Sequence, residues 1–344
     1  MSEPMAPLNV GSLQVPAGSR HHGRIHVEAL PEWAHPELTV IRGREPGPIL
    51  GVIAGVHGAE YSSIEAAKRL SLMIQPDDLQ GALIICPLVN VAAFRARSIY
   101  VNPLDAVNLN RVFPGRPGGT VTEQLADALS RTVIEPCDAF IDLHGGDMIE
   151  ALIPFVIFYR GRDESVSSAS QAMAGRYGIT NVISGHTPGS SYEAAAARGK
   201  PAILAEAGQQ GVVSEYAVRL HIRGVYRVLD HLHLLSEEGR QRFAAWERSA
   251  ELAPVGDPVY HPPWEWMNAE SGDMWYPEVT CGDEVAAGQR VGQITRLSGE
   301  VTQEVVAPVR GRVMFLVTSL AINPGSPLLA IGSATADARG GDAR

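Results

Sequence analysis

Cysteine is scarce in this chain: three in 344 residues, Cys86, Cys137 and Cys281. They are odd in number and far apart, and no C-x-x-C occurs. That excludes a disulfide framework and reads as free thiols in a reducing compartment. No apolar run is long enough to span a bilayer. The opening MSEPMAPLNV has neither a basic n-region nor an apolar h-region, so no signal peptide is expected and the expected location is cytoplasmic. Positive charge is in deficit: 28 Lys and Arg face 38 Asp and Glu, a net charge of −10 with a pI near 5.6. This argues against nucleic acid or an anionic membrane as the main partner, while leaving room for a local cationic pocket. What is present is ordinary for a globular protein, 45% hydrophobic and 19% charged residues. The length suggests two domains, or a large one with a small one.

The informative stretch is ILGVIAGVHGAEY, residues 49–61. Residues 49–56 form an apolar run that reads as a buried strand. The run stops at His57-Gly58-Ala59-Glu60, and Ile64, Ala67 and Leu70 then recur at helical spacing. His57 and Glu60 therefore sit where a strand gives way to a helix, the end of an open α/β sheet at which ligands bind. Alone, the pair could be no more than a capped helix start. A second apolar run ending in a histidine, Phe140-Ile141-Asp142-Leu143-His144-Gly145-Gly146, strengthens the metal reading. Two His and one Glu are a ligand set for zinc that leaves one position for water.

Along the chain, strands are expected over 20–30, 37–42, 49–56, 81–87, 138–143, 154–160, 182–184 and 201–205. Helices are expected over 62–74, 90–97, 122–134, 165–177, 191–198 and 215–235. His21, His22, His26 and His35 read as surface or edge-strand residues. The alternation predicts an α/β fold with a mostly parallel or mixed sheet. From about residue 253 helical periodicity gives way to short β-rich pieces with Gly and Pro. The expected organisation is a hydrolase domain over 1–250, an all-β C-terminal domain over 251–332 and a disordered tail over 333–344.

Glu206 ends the apolar run PAILA, the placement already seen for His57 and His144, and is the best candidate for general acid/base. The alternative for Glu206 is a buried glutamate paired to an arginine. Asp142 shares the His144 face of its strand, either to support that histidine or as a structural residue. The loop 98–119 is long for a connection and contains Asn110-Arg111, a pair suited to clamping a substrate carboxylate.

H-G-A-E after a strand, N-x-N-R-x-F-P-G, D-L-H-G-G and a later strand-end Glu, in that order, resemble the succinylglutamate desuccinylase/aspartoacylase family. Within it the chain looks closest to bacterial N-acetyl-diaminobutyrate deacetylases. The resemblance covers roughly residues 48–235 and extends to the β-rich tail. It implies a zinc-carboxypeptidase-like mixed sheet flanked by helices, with one zinc ion held by His57, Glu60 and His144. It implies Glu206 as the catalytic carboxylate and Asn110 and Arg111 as the grip on the substrate carboxylate. It also implies a homo-oligomer, dimer or tetramer, acting on a small N-acyl substrate. Where relatives carry an oxyanion-stabilising arginine, this chain has Tyr100. Arg97 or Arg95 could substitute, or the Tyr100 phenol could donate instead. The loop Ala207-Gly208-Gln209 also departs from the family pattern, and Gln209 could reach the substrate. The tail resembles the barrel-sandwich of biotinyl and lipoyl carriers. The last lysine is Lys200, however, so a carrier role is excluded and a cap or an oligomer interface is expected. The expected activity is zinc-dependent deacylation of an N-acylated amino acid, a water on the metal attacking the acyl carbonyl. The alternatives are a carboxypeptidase-like peptidase and a non-catalytic binding protein that kept the fold.

Overall fold

The computed structural model describes residues 5–333. The tail expected to be disordered lies, apart from Ser333, outside the described residues. The main sheet runs in the order Val259–His261, Asn181–Gly185, Phe155–Tyr159, Ala202–Glu206, Ala139–His144, Glu45–Ala54, Gln80–Leu88, Glu37–Arg42, Ser19–Arg24. Its centre is parallel, with Ala202–Glu206, Ala139–His144, Glu45–Ala54 and Gln80–Leu88 pointing the same way. Phe155–Tyr159 runs antiparallel to Ala202–Glu206, and two antiparallel strands close the opposite edge, so the sheet is mixed.

The central strands are apolar on both faces because both are covered. Val52, Ala54, Ile141, Leu143, Ile203 and Ala205 pack in one cluster with Leu70, Met173, Val218 and Leu229 from the helices Tyr61–Met73, Glu164–Arg176 and Glu215–His231. The alternate residues Ile53, Phe140 and Leu204 pack in the other, with Leu125, Leu129 and Tyr192 from Val121–Leu129 and Ser191–Ala196. Each buried Val, Leu, Ile, Phe or Met among them contributes about 1.5–3 kcal/mol. The two-residue period then puts Asp142, His144 and Glu206 on the second face as the strands run out.

The C-terminal region forms antiparallel sheets around a third cluster that includes Trp275, Ile294, Val313 and Leu329. Strands are exchanged between the two regions. Glu150–Leu152, which follows the His144 loop, pairs with Gly311–Val317. Val259–His261 extends the main sheet instead. A helix at Glu237–Ser249 was not expected from the sequence. Among the described residues no helix is long and apolar enough to cross a membrane.

Candidate metal centre and active site

The turn after Glu45–Ala54 carries His57 and Glu60, and the neighbouring parallel strand ends at His144. Glu60 stands at the N-cap of helix Tyr61–Met73, yet its side chain makes no cap hydrogen bond. It turns instead between the two imidazoles, with Oε1 2.7 Å from His57 Nδ1 and Oε2 2.9 Å from His144 Nδ1. One ligand atom from each of the three residues falls within 4.8 Å of the others. The Gly145 N–H also donates to Glu60 Oε2 at 3.1 Å. Burial alone would raise the Glu60 carboxyl; the His144 and His57 imidazoles outweigh that and hold it at about 2.

The outer nitrogens of both rings have oxygen neighbours. His144 Nε2 lies 2.9 Å from Asp142 Oδ2, and the Ser191 hydroxyl donates to the same carboxylate oxygen. His57 Nε2 lies 3.2 Å from Asn108 Oδ1, which also accepts from the Asn110 N–H at 2.8 Å. A carboxylate beside the nitrogen opposite Nδ1 is the placement from which a metal-binding histidine is usually supported, although the 2.9 Å approach of Asp142 lacks hydrogen-bond alignment here. Burial opposes protonation of His144, but Asp142 and Glu60 raise it well above the ordinary imidazole value. Two imidazoles and the carboxylate that bridges them, converging in a buried corner, fit a divalent cation by donor type and placement.

Glu206 pairs with His144 in the ladder and so lies next to the cluster. Its Oε2 is buried with no hydrogen-bond partner among the described residues. Burial, with Glu60 adding repulsion, pushes its pKa well up. The alternative of a structural glutamate paired to an arginine finds no ion pair among the described residues.

Asn110 is buried, and its Oδ1 accepts from the Ser191 N–H at 3.1 Å. Arg111 is exposed and donates to the Asn110 carbonyl at 2.7 Å. Tyr100 packs edge-on against the His57 ring at 5.9 Å, but its hydroxyl donates to Glu150 Oε1 at 2.7 Å. The phenol is thus engaged by a carboxylate. Arg97 is an exposed left-handed C-cap, and Arg95 lies over the Trp33 ring at 4.9 Å. The Gln209 side chain accepts from the Leu152 N–H at 3.1 Å, tying its loop to Glu150–Leu152.

Sequence reasoning read Asn108 only as the first residue of N-x-N-R, with no role of its own, and missed Asp147, Glu150, Ser191 and His221. Asp147-x-x-Glu150, three residues past His144, was a visible signal; the others carry none locally. Asp147 accepts from the Tyr100 N–H at 3.1 Å, and Glu150 Oε2 accepts from the Asp147 N–H at 2.8 Å. Burial pushes Glu150 up to about 7. It also pushes the His221 imidazole down to about 4, so that ring is neutral.

The succinylglutamate desuccinylase/aspartoacylase catalytic domain matches residues 46–232. The chain belongs to this family. The span holds the His57, Glu60, His144 and Glu206 cluster and the Asn110 loop. The N-alpha-acetyl-L-2,4-diaminobutyric acid deacetylase of Halomonas elongata is 30% identical over 278 residues, 80% of this chain and 77% of that one. The product-bound ectoine utilization protein EutE of Ruegeria pomeroyi superposes with a TM-score of 0.81 at 25% identity, covering 97% of this chain and all of that one. A succinylglutamate desuccinylase from a Silicibacter species gives 0.79 at 23% identity over 97% of this chain and 99% of its own, a likeness of fold alone. The mixed α/β architecture with its C-terminal β sheets is the one these family members share.

Proposed function

We propose that this chain is a zinc-dependent deacylase that hydrolyses the amide bond of a small N-acylated amino acid. The observation that carries the reading is the convergence of His57, Glu60 and His144 beside a buried Glu206 oxygen that has no partner among the described residues. The family and the deacetylase relative support the reaction class, and an acetylated diamino acid is the first substrate to try.

His57, Glu60 and His144 would hold the metal, which, when bound, polarises a carbonyl and lowers the pKa of a water toward about 7. Asp142 and Asn108 fix the ring orientations from behind. Glu206 Oε2 takes the proton of the attacking water and returns it to the leaving amine, a role that suits a carboxylate whose affinity for protons burial has raised. Arg111 and Asn110 orient the substrate through its carboxylate, the guanidinium by parallel hydrogen bonds. Tyr100 acts in this reading through Glu150, which its phenol holds, and Arg97 offers a second exposed guanidinium on the same loop. We also keep a cytoplasmic homo-oligomer as part of the proposal, to be checked by light scattering.

The deciding experiment is metal content of the purified protein beside His57→Ala and Glu206→Ala, all assayed on N-acyl amino acids and on peptides. About one zinc per chain, lost in His57→Ala and kept in an inactive Glu206→Ala, is the expected result. A metal-free wild type, or a fully active Glu206→Ala, sinks the proposal. Turnover of peptides in preference to acyl amino acids would shift the reading to a peptidase.

A further inference from the structure

Helix Glu215–His231 sends one histidine into the sheet. His221 is fully buried, and its Nε2 lies 2.9 Å from the carbonyl oxygen of His144 and 3.1 Å from that of Ala207. Two acceptors at one nitrogen make Nε2 the protonated one, assigned from the network. On the other side of the ring, the Tyr177 hydroxyl lies 3.0 Å from Nδ1 and donates to it. Tyr177 is itself fully buried at the end of helix Glu164–Arg176. Its ring fits there because residue 224 is glycine: a Cβ at Gly224 would stand 2.1 Å from the Tyr177 ring.

The two carbonyls belong to the backbone of the candidate metal ligand His144 and to the residue that follows Glu206. They sit where the two parallel strands leave the sheet and the regular ladder would end. The Ala207 N–H donates to the His144 carbonyl at 3.1 Å, and the Gly146 N–H to the Gly208 carbonyl at 2.8 Å. His221 lies behind this zipped extension and bridges both chains with a single N–H.

We infer that His221, held in one tautomer by Tyr177, is a positioning residue that sets the separation of the Glu206 carboxylate from the His57–Glu60–His144 centre. The inference rests on the deacylase reading and goes beyond it, since His221 touches neither substrate nor metal. It acts through backbone. A hydrophobic side chain of similar size would fill the space but leave the Ala207 carbonyl without its partner, and the Glu206 strand end would drift relative to His144. Glutamine can replace the bridge, since its amide N–H reaches the carbonyls and its oxygen accepts from Tyr177.

The test uses the full chain with zinc and three variants, His221→Leu, His221→Gln and Tyr177→Phe. It reads zinc affinity by chelator competition, kcat and KM separately, and melting temperature. We expect His221→Leu to lose about 10- to 100-fold in zinc affinity or kcat, the usual cost of losing a residue that orients metal ligands, with KM within about twofold. His221→Gln should recover most of that loss, and Tyr177→Phe should show a smaller fall confined to kcat. If melting temperature falls while kcat and zinc affinity of the folded protein match the wild type, His221 is only structural and the inference is overturned. Should His221→Leu not fold, the other two decide. A near-normal Gln variant with a slowed Phe variant supports the inference, and wild-type values in both overturn it. A wild type without zinc or activity would fail the deacylase reading itself, and that outcome is distinct from an active wild type indifferent to these changes.

Discussion

Glu150 shows how a single residue links burial to pH. Burial raises its carboxyl to about 7 from an ordinary 4.5, against the opposing hydrogen bonds from Tyr100 and the Asp147 N–H. The sign follows from proton counting. Between pH 4.5 and about 7 the folded chain holds a proton at Glu150 that the unfolded chain has released, so stability contributed here is lost as pH rises through that window. The expectation is that Glu150→Gln in chelator-treated protein flattens the decline of melting temperature between pH 5 and pH 7. A decline as steep as in the wild type would remove Glu150 from the explanation. At this scale the sequence showed which side chains gather at the strand ends. His57, Glu60, His144 and Glu206 were legible because each ends an apolar run or follows it within four residues. The contacts of Asn108, which opens the N-x-N-R motif, and of Ser191 were not, because each supports a partner far along the chain, 51 residues from His57 and 49 from Asp142.

The elements around the site are held by close backbone approach. Gly58 lies between His57 and Glu60, where a Cβ would stand 2.2 Å from the Phe94 nitrogen and 2.3 Å from the Ala93 carbonyl carbon. Both contacts are backbone of the short helix Val91–Ala96, whose Asn90 cap fixes it by accepting from the Ala93 N–H and donating to the Val56 carbonyl. Neither side can yield without moving the turn that aims His57 and Glu60. Gly58→Ala is therefore expected to lower zinc affinity by about 10-fold or more, the scale seen when a ligand's support is lost, while far-UV circular dichroism is unchanged. Wild-type zinc binding in Gly58→Ala would show that the turn tolerates the shift. Helix boundaries were otherwise close to the periodicity: Tyr61–Met73 against 62–74, and Glu164–Arg176 against 165–177. Helix Glu237–Ser249 escaped notice because only Gly239 of it is buried. Its apolar face is little more than two aromatics, Phe243 and Trp246, which stack on Tyr226 at 4.8 and 6.2 Å amid a largely charged and polar run.

For the whole molecule, the candidate metal centre lies where the Ala139–His144 and Glu45–Ala54 strands and the loop around Asn108 meet, so binding there should stabilise the native state. At free zinc about 100 times the dissociation constant the gain is about 2.7 kcal/mol. Chelation should lower the melting temperature, added zinc should restore it, and His57→Ala should show neither response. A melting temperature indifferent to chelator and zinc in the wild type would separate the fold from any metal. The C-terminal region also bears on the whole, since Leu152, Phe155 and Ile183 bury against its cluster rather than against the main core.

Composition, strand and helix periodicity and the order of four short motifs determined the α/β class and the family, and named the candidates for a metal site and a proton transfer. These are local properties, written as runs of neighbouring residues. Tertiary structure decided the rest. It set the Glu60 carboxylate between two imidazoles, engaged the Tyr100 phenol with Glu150, and sent Glu150–Leu152 out to the C-terminal sheet and Val259–His261 into the main one. The physical reason is that these outcomes depend on which buried polar group finds which partner, and those partners lie tens to hundreds of residues away, where no periodicity reaches.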